Sequence, residues 1–256
     1  MAAIFDPLLK PSAEPRLVSP DIWSVVETTD APNVYDSHAK LYDRLIGNAL
    51  YNRIAWGTSP QSYETFAHLA VKSGDGPFLD AGCGSLVSTA QVYLKAQRQT
   101  ILCDLSVGML GAARERIISF AGKVPDHLVF LQADLKDLPF RDACFGSVLC
   151  PGMLHIFDDV ETVTRELTRV VLPSGKVFMS SLVTERWISS KYLGLLHRAG
   201  EVAEPRSADR LLDRLEVAGA GFRQPVDHEL EGSMMFLAGR PTGSQADGDD
   251  GKGSGT

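Results

Sequence analysis

From residue 77 onward, short apolar runs alternate with stretches suited to helices, and this alternation limits the fold more than any other feature of the chain. The runs fall at 77–81, 100–105, 128–133, 145–150 and 175–182, with helix-like stretches at about 86–97, 107–121 and 159–171 between them. Strands alternating with helices imply a parallel sheet covered on both faces. The nearly continuous apolar character of the runs fits strands buried on both sides. The 159–171 helix is written most clearly. Asp158 or Asp159 can cap it, Val160, Val163, Leu167, Val170 and Val171 form one face, and Pro173, Ser174 and Gly175 stop it. A further helix at about 207–219 precedes two strand candidates, 225–230 and 234–239, separated by Glu231-Gly232-Ser233. That gap suits a hairpin. The expected fold is therefore α/β, a mostly parallel sheet closed by an antiparallel C-terminal hairpin.

The flanks read differently. Residues 1–33 hold five prolines and no sustained period, and are expected to form an arm. Residues 34–72 read as helix, broken at Gly57–Pro60, with Ser59 or Ser62 available as a cap. Residues 241–256 are rich in Gly, Ser and Asp and are expected to be disordered. Residues 34–240 then make one domain. The formal charge of −7, without any basic run, argues against a nucleic-acid surface. No apolar stretch reaches the roughly 20 residues that a membrane span needs, and the N-terminus does not read as a signal peptide. Cys83, Cys103, Cys144 and Cys150 form no CxxC pair, and no metal-type cluster is visible. A cytoplasmic protein without a metal is expected.

Chemistry concentrates at the ends of the strands. Pro77–Thr89, PFLDAGCGSLVST, runs from an apolar strand through Asp80 to Gly82 and Gly84 and then toward a helix. Such glycines let backbone approach a ligand, and the first turn of the helix offers free N–H groups. The dinucleotide fingerprint would place a third glycine at the position of Val87. Asp104 ends the second run, 20 residues after Gly84, where an acidic side chain can accept hydrogen bonds from both ribose hydroxyls of an adenosine ligand. It can also serve as a helix cap. Asp134 ends the third run and can accept an adenine amino group while the Leu135 N–H meets a ring nitrogen; the alternative is a turn aspartate. His155 follows the fourth run, where open α/β sheets place ligands. It can take a proton, orient a substrate, or hydrogen-bond backbone to fix its loop.

Together the segments FLDAGCGS (78–85), ILCDLSVGML (101–110), LQADLKDLPF (131–140), VLCPGMLHIFDD (148–159) and VVLPSGKVFMS (170–180) resemble the class I S-adenosylmethionine-dependent methyltransferases. The order and spacing fit from about 60 to 240. The resemblance implies a Rossmann-like, seven-stranded sheet with an antiparallel seventh strand, and S-adenosyl-L-methionine as cofactor. It implies that Asp80 holds the methionine amino end, directly or through water, and that Ala81, Gly82, Cys83 and Gly84 make the close backbone loop. Asp104 would hold the ribose, Leu105 would pack on adenine, Asp134 and Leu135 would read its edge, and Cys150 and Pro151 would line the sulfonium side. One departure is plain: the third glycine of that loop is replaced by Leu86. Val34–Gly57 resembles the lead-in of the ubiquinone/menaquinone-type enzymes, implying a helical lid over 34–72 in which Tyr35 and Tyr42 reach cofactor or substrate, or simply dock the lid.

Methyl transfer from a sulfonium is an in-line displacement, so alignment and exclusion of water matter most. His155 is the candidate base where the acceptor must lose a proton. The insert near 183–206, with Trp187, Tyr192, Leu195 and Leu196, is expected on the substrate side. A small organic acceptor is expected. The alternatives are a binding protein of the same fold that does not methylate, and an NAD(P)-dependent oxidoreductase.

Overall fold

Residues 7–27, 56–96, 98–216 and 221–243 are described in a computed structural model of the chain. Five parallel strands form the centre: β3 (Phe78–Ala81), β4 (Thr100–Asp104), β5 (Leu128–Gln132), β6 (Phe145–Cys150) and β7 (Val171–Leu182). The hairpin β8 (Asp227–Glu231) and β9 (Met234–Gly239) completes one side, with β9 antiparallel to β7 over Val177–Leu182. The sheet is nine-stranded, in the order β1-β2-β5-β4-β3-β6-β7-β9-β8.

That count corrects the expectation of seven strands. The extra pair, β1 (Arg16–Ser19) and β2 (Ile22–Ser24), comes from the segment expected to be an arm. The two are antiparallel about Pro20-Asp21, where Asp21 takes φ 61°, and β2 runs parallel to β5 from Ile22↔Phe130 to Ser24↔Gln132. Strands of four and three residues are too short to show a period of two. The physical gain is the capping of an otherwise open edge on β5.

Alternation along β3 divides the core. Leu79 and Ala81 face a cluster that includes Ile101, Leu131 and Val148, covered by α4 (Val160–Val170) and α6 (Ala208–Glu216). Phe78 faces the other cluster with Leu102, Phe130 and Leu149, covered by α1 (Pro60–Lys72), α2 (Ala90–Ala96) and α3 (Val107–Ala121). Asp80 shares Phe78's phase and so points toward α2. Side-chain caps start three of these helices: Ser59 accepts from Ser62 N–H, Ser106 from Met109 N–H, and Asp159 from Thr162 N–H. The helix ends at Val170, ahead of Pro173–Gly175 as expected, but the strand that follows begins at Val171, so Pro173–Gly175 falls inside it. That stretch loops out of the ladder, since pairing jumps from Phe145↔Val171 to Ser147↔Lys176.

From β3 the chain adds β4 and β5 on one side, then returns to place β6 on the other. The crevice at the carboxyl ends of β3 and β6 is therefore a topological switch point, where open sheets bind ligands. Tyr35 and Tyr42 lie outside the described residues, as does most of the expected lid.

Candidate active site

A cavity of about 270 Å³ opens at that crevice. Four strand-end loops line it, with Gly82–Thr89 after β3, Asp104–Ser106 at β4, Asp134–Leu135 after β5, and Pro151–Phe157 after β6. Of the residues expected to bind cofactor, Gly82, Cys83, Gly84, Asp104, Leu105, Asp134, Leu135 and Pro151 line it, as does His155. Asp80, Ala81 and Cys150 are buried in the strands beneath. Cys150 points into the core on the α4 side rather than toward the cavity wall.

Asp80 is the electrostatic centre of the floor. Tyr93 Oη, from α2, donates to its Oδ2 at 2.5 Å, while Oδ1 has no hydrogen-bond partner among the described residues. Burial raises its carboxyl to about 7, against the Tyr93 hydrogen bond, which lowers it, while the nearby Asp104 charge adds to the rise. The β3 loop then crosses the ligand side with three left-handed residues, Gly82 at φ 82°, Gly84 at 54° and Leu86 at 58°. A Cβ on Gly84 would project into open space, whereas one on Gly82 would meet Met153 Cγ at 2.7 Å. Leu86 keeps the left-handed conformation that the glycine pattern would favour, and its side chain is buried in the α1–α3 core. The loop's path thus survives the departure, with strain at Leu86 offset by burial.

Asp104 organises the neighbouring loop. Its Oδ2 accepts the Gly84 N–H and its Oδ1 the Ser106 N–H, both at 2.9 Å. Leu105 is 41% exposed beside it, an apolar face in the cavity wall. Asp134 is exposed and accepts the Lys136 N–H at 2.9 Å, in the manner of a turn aspartate. Its position at the cavity rim leaves the second role open to it.

His155 lies on the short 3-10 turn Leu154–Ile156. Its Nδ1 accepts the Leu182 N–H at 3.3 Å. Burial lowers its pKa to about 4, with the Arg206 charge acting in the same direction. The imidazole is neutral near pH 7, and the Leu182 bond assigns the remaining proton to Nε2. With Nδ1 taken up by the Leu182 N–H, the proton of the neutral ring sits on Nε2, a hydrogen-bond donor, and His155 lines the cavity. Arg206 holds this loop by donating to the Phe157 carbonyl at 2.8 Å and to the Leu154 and Asp158 carbonyls at longer range.

The far end of the cavity is apolar and comes from distant segments, including Trp56, Tyr63, Leu182, Tyr192, Leu196 and Met234. Tyr192 and Leu196 belong to α5 (Trp187–Arg198), while Trp187 and Leu195, also expected in this wall, face solvent. Sequence reasoning missed the device that joins these pieces, the fully buried Ser233 in the hairpin turn. Ser233 N–H donates to the Trp56 carbonyl at 2.7 Å, and its Oγ accepts the Arg186 N–H at 3.1 Å. The same hydroxyl pairs with Ser189 Oγ at 2.6 Å. α5 has no side-chain cap of its own, so Ser233 provides one from outside. The only sequence signal was a serine in a short gap, which reads as turn chemistry.

The profile of the Methyltransferase domain family matches residues 79–179. A ubiquinone/menaquinone biosynthesis C-methyltransferase of Xylella fastidiosa is 32% identical over 177 residues, covering 66% of this chain and 67% of that protein. The chain belongs to the class I methyltransferases. It is an S-adenosylmethionine-dependent enzyme of that family. An O-methyltransferase of Penicillium expansum is 28% identical over 207 residues, covering 75% of this chain and 72% of the relative. The geranyl diphosphate C-methyltransferase from Streptomyces coelicolor, solved with Mg2+, a thiolodiphosphate analogue and S-adenosyl-L-homocysteine, shares the fold. Its TM-score is 0.55 at 13% identity, covering 71% of this chain and 76% of that one. The methyltransferase cavity fits its cofactor on three observations. Asp80 Oδ1 is buried and unpartnered, the Gly84 position leaves space that a side chain would fill, and Asp104 lines the cavity at the end of β4. Among the described residues, no group of three or more His, Cys, Asp or Glu side chains could hold a metal ion, and no helix is long and apolar enough to cross a membrane.

Proposed function

We propose that this methyltransferase acts on a small organic acceptor, held against the apolar end of the cavity. The observation that carries the reading is the cavity's two-part wall. Strand-end loops with Asp104 and Asp134 form one end, and Trp56, Tyr63, Tyr192 and Met234 form the other. When bound, S-adenosylmethionine supplies a methyl group already activated on a sulfonium. The chain's own work is alignment and exclusion of water.

In this reading Asp80 balances the ammonium of the methionine end, and the Gly82–Gly84 backbone approaches it closely. Asp104 accepts from the ribose hydroxyls, Leu105 covers one adenine face, and Asp134 with the Leu135 N–H reads the adenine edge. Pro151 borders the reacting centre, while Ala81 and Cys150 support it from the strands. His155 presents its Nε2–H to an acceptor oxygen and lowers the charge density there without removing a proton. The segment 183–206 forms the acceptor side through α5, within a single domain that also takes in the β1–β2 pair at residues 16–24. The four free thiols, three of them buried, are in keeping with a reducing cytoplasm.

The test has two stages. Calorimetric titration with S-adenosylmethionine, S-adenosylhomocysteine and NAD(P)H should show binding of the first two only. Transfer of radiolabelled methyl into a metabolite extract should then yield a labelled small molecule. Binding without transfer into any small molecule or protein would favour the non-methylating alternative, and label found only in protein would refute the small-molecule reading.

A further inference from the structure

The turn that carries Asp134 and Leu135 is gripped at both ends by the N-terminal segment. Upstream of the turn, β2 pairs with β5 from Ile22↔Phe130 to Ser24↔Gln132, and the Val25 N–H donates to the Gln132 carbonyl at 3.2 Å. Downstream, Leu9 bridges to Phe140. Beside that bridge the Lys10 N–H donates to the Pro139 carbonyl and the Arg141 N–H to the Leu8 carbonyl, both at 2.8 Å. Leu8 and Leu9 are buried in the cluster that holds Leu135, Leu138 and Phe140. The stretch between the two grips is itself tied down, since Asp21 at the β1–β2 turn pairs with Arg114 of α3 at 2.9 Å.

The turn's own bonds fix its shape and not its place. Within it the Asp137 N–H donates to the Asp134 carbonyl, and the Lys136 N–H to Asp134 Oδ1. On the α4 side, Glu166 accepts the Leu138 N–H at 2.9 Å. On the open side of β5 the partners come from residues 7–27. Gln132, which β2 engages, also donates from Nε2 to the Leu105 carbonyl at 3.0 Å, so the same grip reaches the loop that ends β4. No residue of 7–27 lines the cavity, so the segment acts through the turn. A side chain on a turn can read a base edge only where the backbone beneath it is held in place, and order imposed by the ligand subtracts from affinity.

We propose that residues 7–27 are a positioning strap for the adenine end of the cofactor, with residues 8–10 and 22–25 setting the place of Asp134 and the Leu135 N–H. The proposal rests on the reading in which those two groups meet the adenine edge. It gives the added strands β1 and β2 a part in ligand selection besides the covering of an edge.

Two ligands that differ at the base edge provide the test: S-adenosylhomocysteine and S-inosylhomocysteine. In the second an oxygen replaces the adenine amino group and the adjacent ring nitrogen carries a hydrogen. Asp134 and the Leu135 N–H would then each face a group of their own kind, so full-length wild-type protein should prefer the adenosyl compound at least tenfold by calorimetry. In Leu9→Ala that preference should fall at least threefold, while Leu9→Met, which refills the site, should keep it. Leu215→Ala, which empties a buried site on another element, α6, should also keep it. A merely structural loss lowers both affinities together, so their ratio reports the placement of the turn. In wild-type protein, saturation with S-adenosylhomocysteine should slow amide hydrogen exchange across residues 7–27 at least fivefold, because coupling between strap and ligand is reciprocal. An undiminished preference in Leu9→Ala, an equal fall in Leu215→Ala, or exchange across residues 7–27 that the ligand leaves unchanged would overturn the proposal. The exchange measurement decides alone where Leu9→Ala does not fold. Wild-type protein that binds both ligands equally would instead overturn the Asp134 reading, and the proposal with it, so the two failures are distinguishable.

Discussion

Tyr93→Phe isolates the electrostatics of the cavity floor. Tyr93 donates to Asp80 Oδ2 at 2.5 Å, and that bond favours the ionised carboxylate against burial, holding the carboxyl at about 7. A hydrogen bond to a charged group is worth about 1.5–3 kcal/mol. At 1.36 kcal/mol per pKa unit, its loss should raise the Asp80 pKa by about one to two units, to roughly 8.5. If the carboxylate is the form that holds the ammonium end of the cofactor, the apparent Kd scales as one plus ten to the power of pKa minus pH. At pH 7.5 that factor is about 1.3 for the wild type and about 11 for the variant, so Tyr93→Phe should weaken S-adenosylhomocysteine binding about eightfold. At pH 9 the penalty should shrink to about 1.3-fold. Calorimetry at both pH values measures the ratio of variant to wild type, in which the ligand's own titration cancels. A ratio that does not change with pH would refute the argument, because Tyr93 would then act through packing alone.

The same linkage fixes a sign for stability. Asp80's folded pKa lies above its unfolded value of 3.8, so between about pH 4 and 7 the folded state binds a proton that the unfolded state has lost. Stability of the unliganded protein from this group therefore falls as pH rises through that window, by on the order of 4 kcal/mol in all. Ligand binding should recover much of it, so the thermal shift given by S-adenosylhomocysteine should be larger at pH 8 than at pH 5.5.

Asp104→Ala should weaken S-adenosylhomocysteine binding about 100-fold, from two charge-assisted hydrogen bonds of about 1.5 kcal/mol each; binding within threefold of wild type by calorimetry would exclude the ribose role. Leu86→Gly relieves a left-handed leucine by about 1–2 kcal/mol but removes a buried side chain worth about 2–5 kcal/mol. Net destabilisation of about 1–3 kcal/mol in urea titration is expected, and a stabilised variant would contradict it. His155→Gln keeps an N–H donor and should retain at least tenfold more kcat than His155→Ala, with no activity step between pH 6 and 8 belonging to residue 155. A wild-type limb near pH 6.5 that both variants abolish would restore the general-base role. Ser233→Ala should lower acceptor affinity at least tenfold while changing the Kd of S-adenosylhomocysteine less than threefold, and equal losses on both would mark Ser233 as a general fold residue.

What could be read from the chain followed from distance along it. The β3 loop, Asp104 and Asp134 each sit at the end of an apolar run, so counting residues was enough to place them around one crevice. β1 and β2 escaped because Arg16–Ser19 and Ile22–Ser24 are shorter than any readable period, and their stability comes from docking on β5. Tyr93 escaped for another reason. It reads as one more apolar residue of α2, and only the alternation of β3 turns Asp80 toward it. The role of His155 depended on which ring nitrogen met the Leu182 N–H, a matter of tertiary contact that no local pattern encodes.

The two ends of the cavity are built by different rules, and this has a consequence for specificity. The cofactor end is made of consecutive strand-end loops fixed by the parallel sheet, each anchored to the next, as Gly84 is to Asp104. The acceptor end is assembled from Trp56, α5 and the hairpin, three segments widely separated in sequence and joined at Ser233. Side chains on the inner face of α5, such as Tyr192 and Leu196, can change without disturbing any hydrogen bond that holds Asp104 or the β3 loop. The hub grips α5 by its first turn, through the Arg186 backbone and Ser189, at positions other than Tyr192 and Leu196. A chain built this way can acquire a new acceptor by altering a few residues of one helix, while the charge at Asp80 and the path through Leu86 continue to serve the same cofactor.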